Sequence, residues 1–269
     1  MDFSTLTAVR RVDVDTFSLD VDPSAFIVRG PNGGYIAAVM LRSLLERITD
    51  LDPDAAPRPP RSLTVHYPAP PVAGPARVTT EIVRAGRSLI TASARLLQDD
   101  RTMAIALAAF SRDWPGTGFT DAVRPAAPGP DAVAAGGLDR PPLPFLDYWD
   151  HRFTKGRVVD TEAPAETQGW IRLEEPELID GPVVAAMTDA FPPAVFTRYP
   201  SPQPVPTIDL TVHFRVGLPL AGLDADEYLL GHFRTRTLCE GFLEEDGELW
   251  TADGRLVAQS RQLAVMLPG

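Results

Sequence analysis

The sequence contains little that would tie the protein to an oxidising compartment or to a membrane. Its 269 residues include one cysteine, Cys239, so no disulfide can form within the chain. No apolar run approaches the ~20 residues of a membrane-spanning helix. The first residues, MDFSTLTAVRRVDVD, lack the apolar core of a signal peptide. These features predict a cytoplasmic protein that makes no membrane contact.

Basic residues are scarce relative to acidic ones. The chain has 25 Lys and Arg against 36 Asp and Glu, which gives a net charge of −11 and a pI of about 4.8. Because affinity for nucleic acids comes largely from basic side chains that neutralise phosphates, a nucleic-acid partner is not expected. A few well-placed arginines can still bind an anionic small ligand.

Several common catalytic motifs are missing as well. The absence of a G-x-S-x-G sequence disfavours a serine esterase of the α/β-hydrolase type, and there is no P-loop or dinucleotide fingerprint. The His, Cys, Asp and Glu residues show no metal-site spacing, so neither a metal nor a cofactor is predicted. Cys239, in TLCEGF, is expected to pack rather than to act as a nucleophile.

One short phrase occurs twice in the sequence. Residues 63–67 read LTVHY and residues 210–214 read LTVHF, which are 210 − 63 = 147 positions apart. In the first copy, GPNGGY (30–35) is followed by an apolar segment and then by LTVHY. In the second copy, ELIDGP (177–182) is followed by an apolar segment and then by LTVHF. A period this long indicates two copies of one domain rather than a solenoid.

Each copy predicts one buried helix followed by long antiparallel strands. The segments 35–48 and 183–191 are apolar almost all round, which is typical of a buried helix. Alternating and β-branched segments predict the strands. The predicted strands lie at 62–67, 76–86, 88–98, 102–114, 207–214 and 255–267, with a turn at Asp99 and Asp100.

A segment rich in Pro, Gly and Ala separates the two copies. It covers 115–145 and includes RPAAPGPDAVAAGG, a composition typical of a linker that crosses the surface. We therefore predict an N-terminal domain at 1–114 and a C-terminal domain at 146–269.

This order of segments resembles the double-hotdog acyl-CoA thioesterases of the TesB (thioesterase II) type. The resemblance covers nearly the whole chain except the linker. It is carried by GPNGGYIAAVM, VRAGRS, AAMTDAF, PTIDLTVHF and DGRLVAQSRQLAVM. It implies an α+β fold, a tandem double hotdog in which two long antiparallel sheets each wrap a central helix.

The resemblance also implies an activity. Members of this family hydrolyse acyl-CoA thioesters with an activated water, without a covalent intermediate or a cofactor, and the process that this activity serves is fatty acid metabolism. The expected substrate is therefore an acyl-CoA. Long strands leave sheet edges, and covering those edges favours a homodimer.

Three polar residues of the second copy match the catalytic positions of this family. They are Asp189, the general base or water-orienting residue, Thr207 at the start of a strand, and Gln262 in the last strand. On its own chemistry, Asp189 is equally well explained as a helix N-cap ahead of Pro192. Strand alternation predicts that Thr207 belongs to a polar face. That face would hold Thr207, Asp209, Thr211 and His213. A glutamine needs partners only where it is buried.

The repeat offers a second comparison. Aligning the two copies places Asp189 opposite Leu41, Thr207 opposite Pro60 and Gln262 opposite Ala108. All three polar residues face apolar counterparts, which is not expected of positions that serve only as scaffold. The comparison supports one site per chain, in the second copy.

The first copy supplies two further candidates. Gly33, Gly34 and Tyr35 begin the first buried helix, where free N–H groups attract negative charge. If this end points into the site, the N–H of Gly34 or Tyr35 is expected to hold the thioester oxygen, although a glycine turn alone also explains these residues. Arg87, in AGRSL, is a candidate for binding a phosphate of coenzyme A, although a single surface arginine at a turn is common.

Two other functions stay open at this point. A hotdog enoyl-CoA hydratase or dehydratase would use His66 or His213 as its base. These histidines occupy equivalent places in the two copies, which favours a shared structural role. A non-catalytic acyl-CoA binding protein would bind the ligand without turnover and would be indifferent to changes at Asp189.

Overall fold

The computed structural model describes residues 1–28, 30–51, 57–135, 143–156, 159–199 and 203–268. Its α-helices are α1 (Phe3–Leu6), α2 (Gly33–Thr49) and α3 (Gly181–Met187). Its strands are β1 (Arg10–Arg11), β2 (Thr16–Val21), β3 (Pro60–His66), β4 (Gly74–Ala85), β5 (Leu89–Gln98), β6 (Arg101–Ser111), β7 (Trp149–Lys155), β8 (Ala165–Leu173), β9 (Thr207–Phe214), β10 (Leu229–Thr235), β11 (Leu238–Cys239), β12 (Phe242–Trp250) and β13 (Leu256–Val265). Short 3-10 segments lie at Pro23–Ala25, Pro130–Ala132, Pro144–Tyr148 and Ala194–Arg198. No helix among the described residues combines the length and the apolar character needed to cross a membrane.

The described strands form one continuous sheet. Its order is β1-β2-β4-β5-β6-β3-β9-β13-β12-β10-β8-β7, with β11 paired to β12. Strands of the first copy lie on one side of the β3–β9 pair and strands of the second copy on the other. The two sheets expected from the sequence are therefore joined edge to edge rather than separate.

The seam between the copies is the place where the repeated phrase pairs with itself. The antiparallel partners are Leu63 with Val212, Thr64 with Thr211 and Val65 with Leu210. The Oγ1 atoms of Thr64 and Thr211 lie 3.0 Å apart. Because the pairing is symmetric about these two threonines, a pseudo-two-fold axis passes between them.

Both copies carry the same β-bulge beside the seam. The β3–β6 register skips Arg61, and the β9–β13 register skips Ile208. These residues are 208 − 61 = 147 positions apart, which is the period of the repeat. A bulge disturbs the regular alternation of side chains along its strand.

The first buried helix is confirmed, and the second is shorter than predicted. α2 covers Gly33–Thr49 with nearly every apolar side chain buried, and it packs against α3. α3 ends at Met187 rather than continuing to residue 191. Tighter turns follow at Asp189 and Ala190, whose N–H groups donate to the carbonyls of Ala186 and Met187. Pro192 and Pro193 prevent the helix from resuming there, because they offer no N–H groups and proline disfavours a helical conformation in the residue before it.

The predicted strands are also found, with ends shifted by a few residues. Asp99 and Asp100 make the predicted turn, with φ values of 49° and 61°. The described part of the 115–145 segment is irregular apart from Pro130–Ala132 and the start of Pro144–Tyr148, and residues 136–142 lie outside the described ranges. Trp170 Nε1 donates to the carbonyl of Pro128 at 2.8 Å, so this segment covers one face of β8.

The close approach of α2 and α3 makes Gly34 a position where a side chain is costly. A Cβ on Gly34 would lie 2.7 Å from the carbonyl oxygen of Ala186 and 3.0 Å from its Cα. We expect Gly34→Ala to lower the free energy of unfolding by about 1–3 kcal/mol, because backbone atoms must shift. Denaturant unfolding measures this loss. Gly118→Ala, where a Cβ meets nothing within 4 Å, is the control, and equal losses in both variants would contradict the prediction.

Candidate active site

Asp189 follows the end of α3 and faces the start of α2. Its Oδ2 accepts the N–H of Gly34 at 2.9 Å, and its backbone carbonyl accepts Asn32 Nδ2 at 2.8 Å. The carboxylate therefore caps a helix that belongs to the other copy. The interpretation of Asp189 as the N-cap of its own following helix is wrong, because that short helix begins at Ala194 and its N-cap residue is Pro193.

Two further side chains fix the start of α2. Asn32 Oδ1 accepts the N–H of Tyr35 at 3.1 Å, and Tyr67 Oη donates to the carbonyl of Gly33 at 2.9 Å. Tyr67 is the last residue of LTVHY, at the place where LTVHF has Phe214. The one residue that differs between the two five-residue segments thus places a hydroxyl at the site. Tyr67 is not among the residues predicted from the sequence, although this difference was the signal.

The α2 start lies in the site, and its N–H groups already have protein acceptors. The Gly34 N–H donates to Asp189 and the Tyr35 N–H donates to Asn32. A Cβ on Gly33 would lie 2.9 Å from Asp189 Oδ2, so the absence of a side chain there allows the carboxylate to approach. The helix start is therefore linked directly to the predicted base.

Thr207 and Gln262 are in direct contact. Thr207 Oγ1 donates to Gln262 Oε1 at 2.8 Å. Gln262 is only 6% exposed and lies on the inner face of β13 with Ala258, Ser260 and Ala264. Thr207 is half-buried, so the pair reaches from the interior towards the surface.

The face predicted for Thr207 is wrong. Simple alternation along β9 places Thr207 on the face of Asp209, away from the buried Leu210. Gln262 pairs directly with Leu210 and so shares its inner face, and Thr207 contacts Gln262 there. The bulge at Ile208 explains the change of face, because one extra residue shifts the alternation by one.

Glu245 is a buried carboxylate that is also absent from the residues predicted from the sequence. It lies on β12 directly opposite Gln262 and is 4% exposed. Its Oε1 accepts Gln262 Nε2 at 2.9 Å and its Oε2 accepts the N–H of Ala194 at 2.5 Å. The signal available in the sequence was alternation, since Glu245 shares its strand face with the buried Leu243 and Leu249.

Burial raises the pKa of both carboxylates in this cluster. The pKa of Asp189 rises to about 6, against the opposing effect of hydrogen bonds from Gly34, Asn32 and Gly33. The pKa of Glu245 rises to about 7 because burial and the charges of Asp189 and Asp246 outweigh the hydrogen bonds from Ala194 and Gln262. Two acids with pKa values near neutrality therefore lie in one cluster.

The two parts of the cluster are connected through the backbone. The N–H of Tyr67 donates to the carbonyl of Ile208 at 3.0 Å, which brings the α2 side next to Thr207. On the opposite side, Glu245 holds the N–H of Ala194, a residue on the segment that carries Asp189. Asp189 and the α2 start are consequently linked to the Thr207–Gln262–Glu245 chain on two sides, through Tyr67 and through Ala194.

Arg87 is not brought to this cluster. It is exposed in the turn between β4 and β5. The first residue of β5, Leu89, pairs with Ser111, and the neighbouring Phe110 pairs with Pro60, so this turn lies at the Pro60 end of β3. Asp189 and Thr207 lie near the opposite end of β3, next to Tyr67. The Pro60 and Tyr67 ends of β3 are seven residues apart, which corresponds to a distance of roughly 23 Å at 3.3 Å per residue. Only a distant part of a long ligand would reach both places.

The remaining candidates lie elsewhere. His66 and His213 are exposed on the strand face opposite the buried residues of β3 and β9. Cys239 is exposed, so the expectation that it packs is wrong; its two-residue strand leads straight into a tight turn at Glu240 and Gly241. Within the described ranges, no group of three or more His, Cys, Asp or Glu side chains is arranged to hold a metal ion.

The raised pKa of Asp189 means that its ionised form opposes folding. The folded-state pKa of about 6 exceeds the unfolded value of about 3.9, so this cost develops as the pH rises between them and is complete above 6. Asp189→Asn removes the charge and retains an acceptor for Gly34. We expect the variant to be more stable than the wild type by about 2–3 kcal/mol at pH 8, and equally stable near pH 4.

Thermal unfolding at the two pH values measures this difference. Asp121→Asn, on the exposed linker, controls for the loss of one negative charge and is expected to have no such effect. A stability difference for Asp189→Asn that does not change with pH would show that burial of the charge is not its cause.

Two family models match the chain. The acyl-CoA thioesterase N-terminal domain matches residues 22–111, and the acyl-CoA thioesterase C-terminal domain matches residues 105–266. The match to the C-terminal domain alone spans more than half of the chain, and the two together leave only short ends unmatched.

Individual proteins are similar over nearly their full length. The thioesterase-like protein TwmA from Talaromyces wortmannii is 26% identical, over 98% of this chain and 92% of that protein. A solved structure of a hot dog fold protein of unknown function from Alicyclobacillus acidocaldarius has a TM-score of 0.89 at 28% identity, covering 99% of this chain and 98% of its own. A putative thioesterase II from Thermobifida fusca has a TM-score of 0.83 at 28% identity, covering 99% and 97%. The chain therefore belongs to the acyl-CoA thioesterase family, as a TesB-type thioester hydrolase with the α+β fold of a tandem double hotdog.

Proposed function

We propose that the chain hydrolyses acyl-CoA thioesters by direct attack of one water, with Asp189 as the general base and the Thr207–Gln262 pair as its second anchor. The observation that carries this proposal is that Tyr67 links the Asp189–Gly34 contact at the α2 start to the strand end that holds the Thr207–Gln262 contact. Family membership supplies the reaction, and this geometry supports the role proposed for each residue.

The direction of the hydrogen bonds suits a nucleophilic water. Thr207 donates its hydroxyl proton to Gln262, so towards the site it presents only lone pairs. Gly34 occupies Oδ2 of Asp189, which leaves Oδ1 as the oxygen proposed to accept from the water. Held by two acceptors, the water keeps a lone pair free for the carbonyl carbon.

The pKa of Asp189 suits the role of base. Burial raises it to about 6, so the carboxylate is mostly ionised at neutral pH and still basic enough to take a proton. As the water attacks, its proton passes to Asp189 and the carbon–sulfur bond breaks. That proton then goes to the coenzyme A thiolate, so the products are a free acid and a thiol.

The α2 start is the proposed site for the developing negative charge on the thioester oxygen. Before the proton transfer, the Gly34 N–H is held by the Asp189 carboxylate. Once Asp189 has taken a proton it is neutral and a weaker acceptor. The Gly34 donor then becomes available to the oxyanion when the charge forms, and such donors are typically worth about 3–4 kcal/mol.

The hydratase alternative is not favoured by the position of its candidate bases. The two histidines predicted as its base, His66 and His213, are exposed on the outer face of the seam strands. The buried carboxylate–amide–hydroxyl chain lies on the inner face. The proposed cellular setting is fatty acid metabolism in the cytoplasm, and the proposed assembly is a homodimer that covers the edges of the sheet.

Thiol release from acyl-CoAs of short to long chain length tests the proposed reaction. We expect turnover by the wild type and a loss of about 10²-fold or more in Asp189→Asn, because the base is removed. Asp209→Asn is the matched control, since Asp209 is a half-buried aspartate two residues from Thr207 that lies outside the chain of contacts. No thiol release from any thioester, or equal rates in the wild type and Asp189→Asn, would refute the proposal.

The proposed phosphate-binding role of Arg87 has a separate test. If the distant end of coenzyme A reaches the β4–β5 turn, Arg87→Ala raises KM several-fold and leaves kcat unchanged, because the contact is made equally before and during the chemical step. Arg95→Ala is the control, because Arg95 is also exposed but lies on β5, away from the turn. An unchanged KM for Arg87→Ala removes this role and leaves the hydrolytic mechanism as it stands.

A further inference from the structure

The proposed mechanism gives no role to Glu245, although the residue is built into the site. Both of its carboxylate oxygens accept hydrogen bonds, Oε1 from Gln262 and Oε2 from the backbone of Ala194. Ala194 is fully buried, so its N–H would be left without an acceptor if the carboxylate moved away. The position of Glu245 is therefore fixed from two sides.

This arrangement determines which way the Gln262 amide points. An ionised carboxylate only accepts hydrogen bonds, so Gln262 must present its Nε2 to Glu245. The amide oxygen then faces Thr207 and accepts its hydroxyl proton. With the amide turned round, two oxygens would meet at Glu245, and Nε2 would donate to Thr207. The hydroxyl of Thr207 would then be free to point its proton at the water.

We propose that Glu245 is a positioning residue that sets the direction of the Thr207–Gln262–Glu245 chain, so that Thr207 acts as an acceptor towards the attacking water. The inference rests on the proposed function, because it assigns Glu245 a role in the same reaction. Glu245 itself acts only through Gln262 and does not contact the substrate.

Protonation of Glu245 would weaken this control. A protonated carboxyl can donate to the amide oxygen of Gln262 and so allow the amide to turn. The charged groups that act on Glu245 are Asp189, on the segment after α3, and Asp246, on the outer face of β12, and both raise its pKa, which lies at about 7. Arg261 of β13 pairs with Asp246 on the outer face. Gln262, its partner on the inner face of β13, is uncharged.

Glu245→Gln tests the proposal with little change in shape. The amide introduced at this position has one acceptor oxygen, and the buried N–H of Ala194 claims it. Its NH₂ group then faces Gln262, whose amide turns, and the chain runs in the opposite direction. We expect kcat for thiol release to fall ~10–100-fold with KM nearly unchanged, because only the activation of the water is affected. Glu248→Gln, on the outer face of the same strand, is the control.

A second variant separates direction from mere structure. In Glu245→Gln/Gln262→Glu the carboxylate stands at position 262, where it accepts from the amide introduced at position 245 on one side and from Thr207 on the other. The original direction is restored, so we expect the double variant to recover at least ~10-fold in kcat over Glu245→Gln. If Glu245 only supports the fold, the second substitution gives no recovery, and that result would overturn the proposal.

The pH profile gives a further readout. In the wild type, log(kcat/KM) is expected to fall with a slope greater than one on the acid side, since protonation of Asp189 abolishes and protonation of Glu245 lowers the rate. The slope in Glu245→Gln is expected to be one. The inference fails, and the proposed function stands, if Glu245→Gln is as active as the wild type while Asp189→Asn is inactive. If Asp189→Asn is as active as the wild type, the proposed function itself fails.

Discussion

The hydrogen bonds between β3 and β9 are the constraint on which the site depends. Because these strands pair antiparallel about Thr64 and Thr211, the end of one lies beside the start of the other. The Tyr67 end of β3 therefore meets the Thr207 end of β9, and Tyr67 in turn holds the start of α2. The helix start comes from the first copy, and the proposed base Asp189 and the hydroxyl of Thr207 come from the second. Only the pairing of the two copies brings these groups together, so a single copy would contain an incomplete site.

The same pairing creates an equivalent place at the other end of the seam, and there the chemistry is missing. Leu63 pairs with Ala108 just as Leu210 pairs with Gln262, so the register itself equates Ala108 with Gln262. Pro60 stands where the second copy has Thr207, and Phe214 stands where the first copy has Tyr67. The bulge occurs in both copies and is therefore a property of the fold. Only in the second copy does it turn a hydroxyl, that of Thr207, towards the inner face. The same geometry therefore occurs twice, and a few residue differences make only one end polar.

The sequence predicted those features that depend on one segment at a time. α2 follows from a run that is apolar on all sides, and the strands follow from their alternation. The features that it did not predict depend on two segments together. The inward turn of Thr207 needs the register between β9 and β13, and the partners of Glu245 need the register between β12 and β13 together with the position of Ala194. The early end of α3 belongs partly to each group. Pro192 and Pro193 are a local signal that the helix does not continue, but the contact of Asp189 with Gly34 depends on a second segment. The large separation of Arg87 from the site likewise appears only once the strands are ordered.

The two carboxylates oppose each other electrostatically, and this opposition changes during the reaction. While Asp189 is ionised, its charge raises the pKa of Glu245 and favours the neutral form that would free the Gln262 amide. In the proposed reaction Asp189 takes the proton of the water, and this repulsion then disappears, so the pKa of Glu245 falls. On the same proposal, Glu245 is most firmly ionised when negative charge builds on the thioester oxygen. The fixed amide would keep Thr207 as an acceptor throughout the step, and the same proton transfer would release the Gly34 donor. One proton would therefore act on both parts of the site, because Asp189 contacts the helix start and its charge acts on Glu245.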